Sequence, residues 1–419
     1  MGSLESRLDL VGGGSTNGPV RVLLASERLK MQHIHRNWNL VLWAATIVAL
    51  SCPGAVQRSA QAQNSVAGWP DKDDFTVLTP KTVQFNTRAT VLKRGTFESD
   101  EEEQKFVEFY DQSLFPNVTT PKNRQAPQEG QPPKDDLVVK LRKDLNACEK
   151  SPEKQVFNKL VDLTLAYMSK IAKDGQYHPV ARVNALLAIG EVNSPKAAKV
   201  LLDTAFGKGP GVFAFRVAAM TGLVRMAGPS GRKVLSDSEI EPLVMKNMVP
   251  FLKFHAKKSD QSDGINWMRG QAADLFADLG STGSQNEVPP ALLIMLNDKE
   301  LPVPLRSKAA RALGKLKYGD SPLDAGPYLT ALAEFARDAL SSDQPANRGR
   351  VRLVARDVGE GLKPLASSTH SNDRELIDGL KKILQSLNSE TEDKLTDEEI
   401  TISIATAKAS LDSLLKKKP

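Results

Sequence analysis

The chain has 419 residues, of which 40% are hydrophobic, 5% aromatic and 25% charged. At about 150 residues per domain, this length predicts two to three domains or one elongated repeat array. The composition excludes a polytopic membrane protein and a wholly disordered chain. The two cysteines, Cys52 and Cys148, are too few for a disulfide scaffold, a four-thiolate zinc site or an iron–sulfur cluster.

The formal net charge of +6 overstates how basic the folded part of the chain is. Six basic and three acidic side chains precede Gln63, so the remainder carries 50 basic and 47 acidic side chains. This balance lacks the overall positive field expected of a nucleic-acid-binding protein. We therefore predict that nucleic acid is not a partner.

The strongest local signal is the apolar run LVLWAATIVAL at 40–50, which follows a basic segment and precedes a Pro-Gly pair. Small residues occupy positions −3 and −1 of a cut between Ala62 and Gln63. Together these features predict a secretory signal peptide over 31–62 and a periplasmic or secreted mature protein.

Two alternatives to cleavage stay open. The first is retention of the apolar run as a transmembrane anchor, but such an anchor needs about 20 apolar residues, more than this run provides. We therefore predict cleavage, and no membrane span in the mature protein. Lipid attachment at Cys52 is the second alternative.

Residues 1–30 are Gly- and Ser-rich without a packed pattern, and we interpret them as an upstream extension with Met31 as the true start.

Residues 63–133 are rich in Pro, Thr, Gln and Asn, and we predict an extended or linker region without a core of its own. One short helix is predicted within it over 100–115, where four acidic residues stand at the N-terminal end. Asn117 begins a formal glycosylation sequon with Thr119.

From residue 134 onward, apolar residues recur at helical spacing, and four segments share an arginine followed three residues later by an alanine. The arginines are Arg182, Arg216, Arg269 and Arg306, and the alanines are Ala185, Ala219, Ala272 and Ala309. Successive arginines are 34, 53 and 37 residues apart. Two of these spacings match one helix-hairpin repeat, and the middle one contains an insertion.

This Arg-x-x-Ala pattern, followed by small residues and glycine, resembles the first helix of HEAT and HEAT-like (armadillo-type) repeats over about 177–343. The resemblance implies an all-α fold, a right-handed α-solenoid of irregular helix hairpins, and binding of protein partners. We expect the repeats to occupy 134–343 and further helices to cap the solenoid over 344–419. The chain lacks the regular repeat proline and aspartate ladder of the family.

The four repeat arginines have two interpretations. They pair within or between repeats, which we favour, or they line a concave basic surface for an anionic partner. The sharper candidate for partner binding is Arg348, Arg352 and Arg356, whose spacing of four places three guanidinium groups on one helix face. Such a row can hold carboxylate or phosphate groups. The alternative for this row is a solvated face without a partner.

No motif after Gln63 predicts catalysis, a cofactor or a metal site. The five histidines are scattered, and the paired His-Glu motifs of HEAT-like di-iron hydroxylases are absent. Cys148 has no nearby histidine in sequence, and we expect a buried, inert thiol.

We predict an exported, non-catalytic scaffold or adaptor that binds protein partners. A lyase-type or other enzyme helper on a HEAT-like fold is one alternative. Nucleic-acid binding by a basic concave face is the other.

Overall fold

The structure is a computed structural model that describes nine stretches of the chain: 75–121, 137–207, 213–228, 232–254, 262–318, 325–340, 348–367, 371–390 and 396–416. All of them fall within one unit, Ser65–Pro419. The upstream extension, the predicted signal peptide with its cleavage site at Ala62 and Gln63, and Cys52 lie outside the described residues.

The described residues form sixteen α-helices and no strand, so the all-α prediction is confirmed. The first eight are α1 (Arg88–Arg94), α2 (Asp100–Glu108), α3 (Leu137–Glu149), α4 (Gln155–Lys173), α5 (Pro179–Ile189), α6 (Pro195–Phe206), α7 (Phe213–Met226) and α8 (Arg232–Leu235). The others are α9 (Glu241–Leu252), α10 (Ser262–Leu279), α11 (Val288–Asn297), α12 (Val303–Lys315), α13 (Ala325–Leu340), α14 (Arg348–Gly361), α15 (Ser371–Glu390) and α16 (Asp397–Lys416). None of the helices described is both long and apolar enough to cross a membrane.

Twelve of these helices fall into two series according to their contacts. In the first series, each helix contacts the next in the order α3, α5, α7, α10, α12 and α14. In the second series, the order is α4, α6, α9, α11, α13 and α16. Most second-series helices also contact the first-series helix that follows them in the chain, as α4 does with α5 and α6 with α7. Each helix therefore buries its apolar side against neighbours close to it in sequence.

Small residues let the first-series helices approach one another closely. Gly190, at the end of α5, faces Gly222 of α7, and a Cβ atom on Gly190 would lie 2.5 Å from the Cα of Gly222. The four alanines that follow the repeat arginines are fully buried: Ala185, Ala219, Ala272 and Ala309. Close approach of the helix backbones thus depends on side chains of at most one carbon at these positions.

The structure corrects the prediction of an extended or linker region for part of 63–133. Residues 88–94 and 100–119 are helical, with α1 and α2 followed by a π-helix (Phe109–Leu114) and a 3₁₀-helix (Phe115–Thr119). The helix predicted over 100–115 is therefore confirmed, with a change from α to π geometry at Phe109.

Aromatic side chains give this N-terminal region its core. Phe106, Tyr110 and Phe115 are fully buried, and the ring of Phe115 lies 5.2 Å from that of Tyr167 in α4. The composition of 63–133 does not predict this core, because most of its residues are polar. A few large aromatic rings suffice to form the core, since each of them buries much area.

The segment before α1 is held by hydrogen bonds that its backbone amides donate to three other parts of the chain. The amide of Thr76 donates to the carbonyl of Gln176 at 2.9 Å. The amide of Lys81 donates to the carbonyl of Gln112 at 2.7 Å, and that of Leu78 donates to the Thr119 hydroxyl at 2.8 Å. These bonds tie the N-terminal region to the end of α4 and to the helices that follow α2.

We predict that Gly190→Ala destabilises the protein, because its added Cβ meets backbone rather than a movable side chain. Overpacking of this kind costs about 1–3 kcal/mol, measurable as a lower urea midpoint. Gly359→Ala in α14 is the matched control, since no atom lies within 4 Å of a Cβ there. The control should be neutral or stabilising by up to about 1 kcal/mol. Equal midpoints for both variants would contradict the close approach of α5 and α7.

Candidate functional site

The four repeat arginines share one contact. Each guanidinium donates a hydrogen bond to a carbonyl in the last turn of the second-series helix that precedes it. The pairs are Arg182 with Ala172 (3.0 Å), Arg216 with Ala205 (2.8 Å), Arg269 with Leu252 (3.0 Å) and Arg306 with Leu296 (2.7 Å). Carbonyls in the last turn of a helix lack intrahelical donors and carry partial negative charge. The arginines therefore cap the C-terminal ends of α4, α6, α9 and α11.

Three of these guanidinium groups also make a second interaction inside the protein. Arg269 is fully buried and donates to a carboxylate oxygen of Asp298 at 3.0 Å. Arg182 lies over the ring of Phe215 at 4.1 Å, and Arg306 lies over the ring of Phe335 at 4.9 Å. This geometry favours the structural interpretation of the repeat arginines over a basic concave surface.

Burial is costly for these cations, and it lowers the pKa of Arg182, Arg269 and Arg306 from the usual value for arginine. The hydrogen bond to Asp298 opposes this effect at Arg269, because it stabilises the charged guanidinium and raises its pKa. All three remain charged at any physiological pH because arginine starts from so high a pKa.

Ion pairs join neighbouring helices of the first series. Glu191, which follows α5, accepts two bonds from Arg142 of α3, both at 2.6 Å, and lies 2.7 Å from Arg225 of α7. Asp274 of α10 pairs in the same way with Lys308 and with Arg311 of α12.

Sequence reasoning missed these pairs, although two of them share a spacing that could have identified them. Glu191 and Arg225 are 34 residues apart, and so are Asp274 and Lys308. Opposite charges one repeat apart are therefore the pattern that identifies such neighbours.

The predicted arginine row lies on α14. Arg348 is the first residue of this helix, and its side chain is outside what the structure describes. Arg352 and Arg356 are both exposed and are one turn apart. Two of the three arginines are thus placed on a solvent-facing side of α14.

Asp357 changes the electrostatics of this row. Its side chain is 1% exposed, and it accepts a 2.7 Å bond from the Ser307 hydroxyl of α12. It also accepts a 2.7 Å bond from Nε of Arg356, and this bond raises the pKa of Arg356. Part of the charge of Arg356 is therefore offset by a buried carboxylate that anchors α14 to α12.

The N-terminal region contributes a buried polar cluster that the sequence did not reveal. The Tyr110 hydroxyl donates to Asp144 of α3 at 2.8 Å, and Arg88 of α1 pairs with the same carboxylate at 2.5 Å. Burial raises the pKa of both Tyr110 and Asp144. The cluster joins α1, the π-helix and α3.

Cys148 lies in α3 with its thiol fully buried. Its Sγ donates to the carbonyls of Asp144 and Leu145 at 3.1 and 3.3 Å. Burial raises the pKa of the thiol to about 12, so the nucleophilic thiolate is scarcely populated at neutral pH.

The sequon asparagine is already engaged in the fold. The side-chain amide of Asn117 donates to the carbonyls of Ser113 and Leu114 at 2.6 and 3.0 Å. Thr119 is fully buried, and its hydroxyl donates to the carbonyl of Pro116. Glycosylation would require both residues to leave these contacts.

Within the described stretches, no group of three or more His, Cys, Asp or Glu side chains is close enough to hold a metal ion. An open groove of about 320 Å³ lies between α13 and α16. Its lining mixes both signs of charge and consists of Thr330, Glu334, Arg337, Asp412, Leu415 and Lys416.

Comparison of the chain with protein-family models, with curated proteins and with solved structures finds no match. The helix contacts described above are compatible with a helical repeat fold.

We predict that the cap by Arg269 contributes more to stability than the cap by Arg182. Arg269→Met removes one member of a buried, hydrogen-bonded charge pair with Asp298, a change that typically costs about 3–5 kcal/mol. Arg182→Met loses one hydrogen bond and one cation–π contact, and should cost about 1–2 kcal/mol. Urea unfolding of both variants measures the difference. The double variant Arg269→Met/Asp298→Leu should recover part of the loss, and equal losses for both single variants would contradict the account.

We also predict that Cys148 does not react with a disulfide reagent in the folded protein at neutral or mildly alkaline pH. The test uses the chain from Gln63 onward, in which Cys148 is the single cysteine. Unfolding in urea should expose one reactive thiol per chain. Rapid reaction of the folded chain would show that the thiol is accessible or activated.

Proposed function

We propose that the protein is an exported, non-catalytic scaffold or adaptor that binds other proteins through the surfaces of a right-handed, HEAT-like α-solenoid. The observation that carries this proposal is the order of helix contacts. In each series, every helix contacts the next, from Leu137 to Gly361 in the first series and from Gln155 to Lys416 in the second. Stacked repeats have this pattern because each unit buries its apolar face against its neighbours.

A stack of this kind suits protein binding for a physical reason. It exposes much area per residue, and several modest contacts along an extended surface can sum to a stable interface without a deep pocket. Such an interface needs groups that are fixed in position, and the capped, ion-paired helix ends supply that rigidity.

The first series is the better candidate for the inner, concave side. Helices that approach through glycine, as α5 and α7 do at Gly190 and Gly222, are spaced more closely than helices that meet through larger side chains. Closer spacing in one layer curves a stack toward that layer. Arg352 and Arg356 belong to the first-series helix α14, so we assign partner binding to this side.

Replacing Arg348, Arg352 and Arg356 together with Gln tests the proposal. The tagged mature protein is crosslinked in the native envelope fraction, captured, and washed at increasing salt before mass spectrometry. We expect a reproducible set of partners with the unaltered protein and a several-fold loss with the triple variant, because bidentate contacts to carboxylates are removed.

The matched control replaces three exposed lysines outside the first series, Lys93, Lys170 and Lys173, with Gln. This control should capture the same partners as the unaltered protein. Partners that persist in the triple arginine variant would refute the role of α14. A reproducible absence of any partner would refute the scaffold function itself.

A further inference from the structure

The exposed side of α9 carries an aromatic cluster. The ring of Phe254, just past the end of α9, is 48% exposed and stacks parallel to that of Phe251, with centroids 6.5 Å apart and planes at 4°. Phe206, at the end of the neighbouring helix α6, meets Phe251 edge to face at 5.4 Å. Two second-series helices thus present one continuous set of rings at their C-terminal ends.

Two exposed lysines belong to the same stretch of chain. Lys246 lies on α9, and Lys253 is the helical C-cap residue that follows it, so their spacing of seven places both on one side. Neither forms an ion pair with any residue that the structure describes. On the neighbouring helix α6, by contrast, the exposed Lys196 and Lys199 are paired with Asp162 at 3.1 Å and with Glu239 at 2.9 Å.

Pro250 stands between the two lysines and is exposed in the last turn of α9. A proline has no N–H, so it cannot donate to the carbonyl of Lys246 one turn earlier. This side of the helix therefore combines apolar surface, two positive charges and a backbone carbonyl without its usual intrahelical donor.

We propose that the surface formed by Phe206, Lys246, Phe251, Lys253 and Phe254 is a docking site for an acidic segment of a partner protein. That segment would place an aromatic or leucine side chain against the rings and carboxylates against the lysines. Charge complementarity is the argument, because covering Lys246 and Lys253 without opposite charges would bury two unpaired cations.

A lipid surface fits this site less well than a protein segment. Stable attachment to a membrane needs a broad apolar face, and here only one ring is nearly half exposed while the other two are partly covered by each other. A short peptide segment matches the small size of the site. This inference rests on the proposed protein-binding function but uses the second series, away from Arg352 and Arg356.

The test uses the full chain from Gln63 onward and fluorescent peptides of about twelve residues, in which Phe or Leu at the centre is flanked by Glu. Fluorescence anisotropy should show saturable binding to the unaltered chain. Replacing Glu by Gln in the peptide should weaken binding by about tenfold or more. Phe254→Ser and the double variant Lys246→Glu/Lys253→Glu should each weaken it similarly.

Two control variants match these changes at other exposed positions. Ile402→Ser alters another exposed apolar side chain, and Lys170→Glu/Lys173→Glu reverses two exposed lysines of α4. Both should bind the peptides as the unaltered chain does, and all variants should keep the melting temperature of the unaltered chain.

The proposal is overturned if the acidic peptides do not bind, or if binding is the same in the site variants and the controls. It is also overturned if phosphatidylserine vesicles, but not the peptides, bind in a manner that depends on Lys246 and Lys253. Concentration-dependent self-association that is lost in Phe254→Ser, without peptide binding, would assign the surface to a second copy instead. Any of these results leaves the capture experiment on Arg348, Arg352 and Arg356 unaffected, so the two proposals fail separately.

Discussion

One interaction connects the two helix series: in four of the six first-series helices, an arginine donates to a last-turn carbonyl of the preceding second-series helix, as Arg306 does to Leu296. Exposed carbonyls at a helix end need donors, and guanidinium supplies several while its flat face packs on a ring. Because the donor belongs to the next helix in the chain, capping one helix also fixes the position of the following one. Arg182, Arg216 and Arg269 repeat this arrangement.

This use of arginine determines which charges are left for the surface. The repeat arginines are occupied between the helix series, and Arg356 is partly offset by Asp357. Lys246 of α9 and Lys253, just past its end, have no such partner among the described residues, although their sequence is ordinary for a solvated helix. Burial and pairing, rather than the number of basic residues, therefore distinguish structural charges from those available for a partner.

Periodicity predicted the all-α fold, the short helix after residue 100 and the repeat arginines, because these depend on neighbours close in sequence. Periodicity did not predict α1 or the buried core around Phe106 and Tyr110, because the few large rings there stand among many polar residues in the sequence. Partners such as Glu191 for Arg142, or Asp357 for Ser307, are about 50 residues apart, and no local pattern identifies them. The α9 surface was missed because exposure of Phe254 depends on how α6 and α9 pack.

If one arginine both caps a helix and fixes the position of the next, then removing Arg216 should loosen both helices. Hydrogen–deuterium exchange of Arg216→Met against the unaltered chain measures this effect. We expect faster exchange in the last turn of α6 and the first turns of α7 together, with α11 and α12 unchanged. Faster exchange confined to α7, or no change at the end of α6, would contradict it.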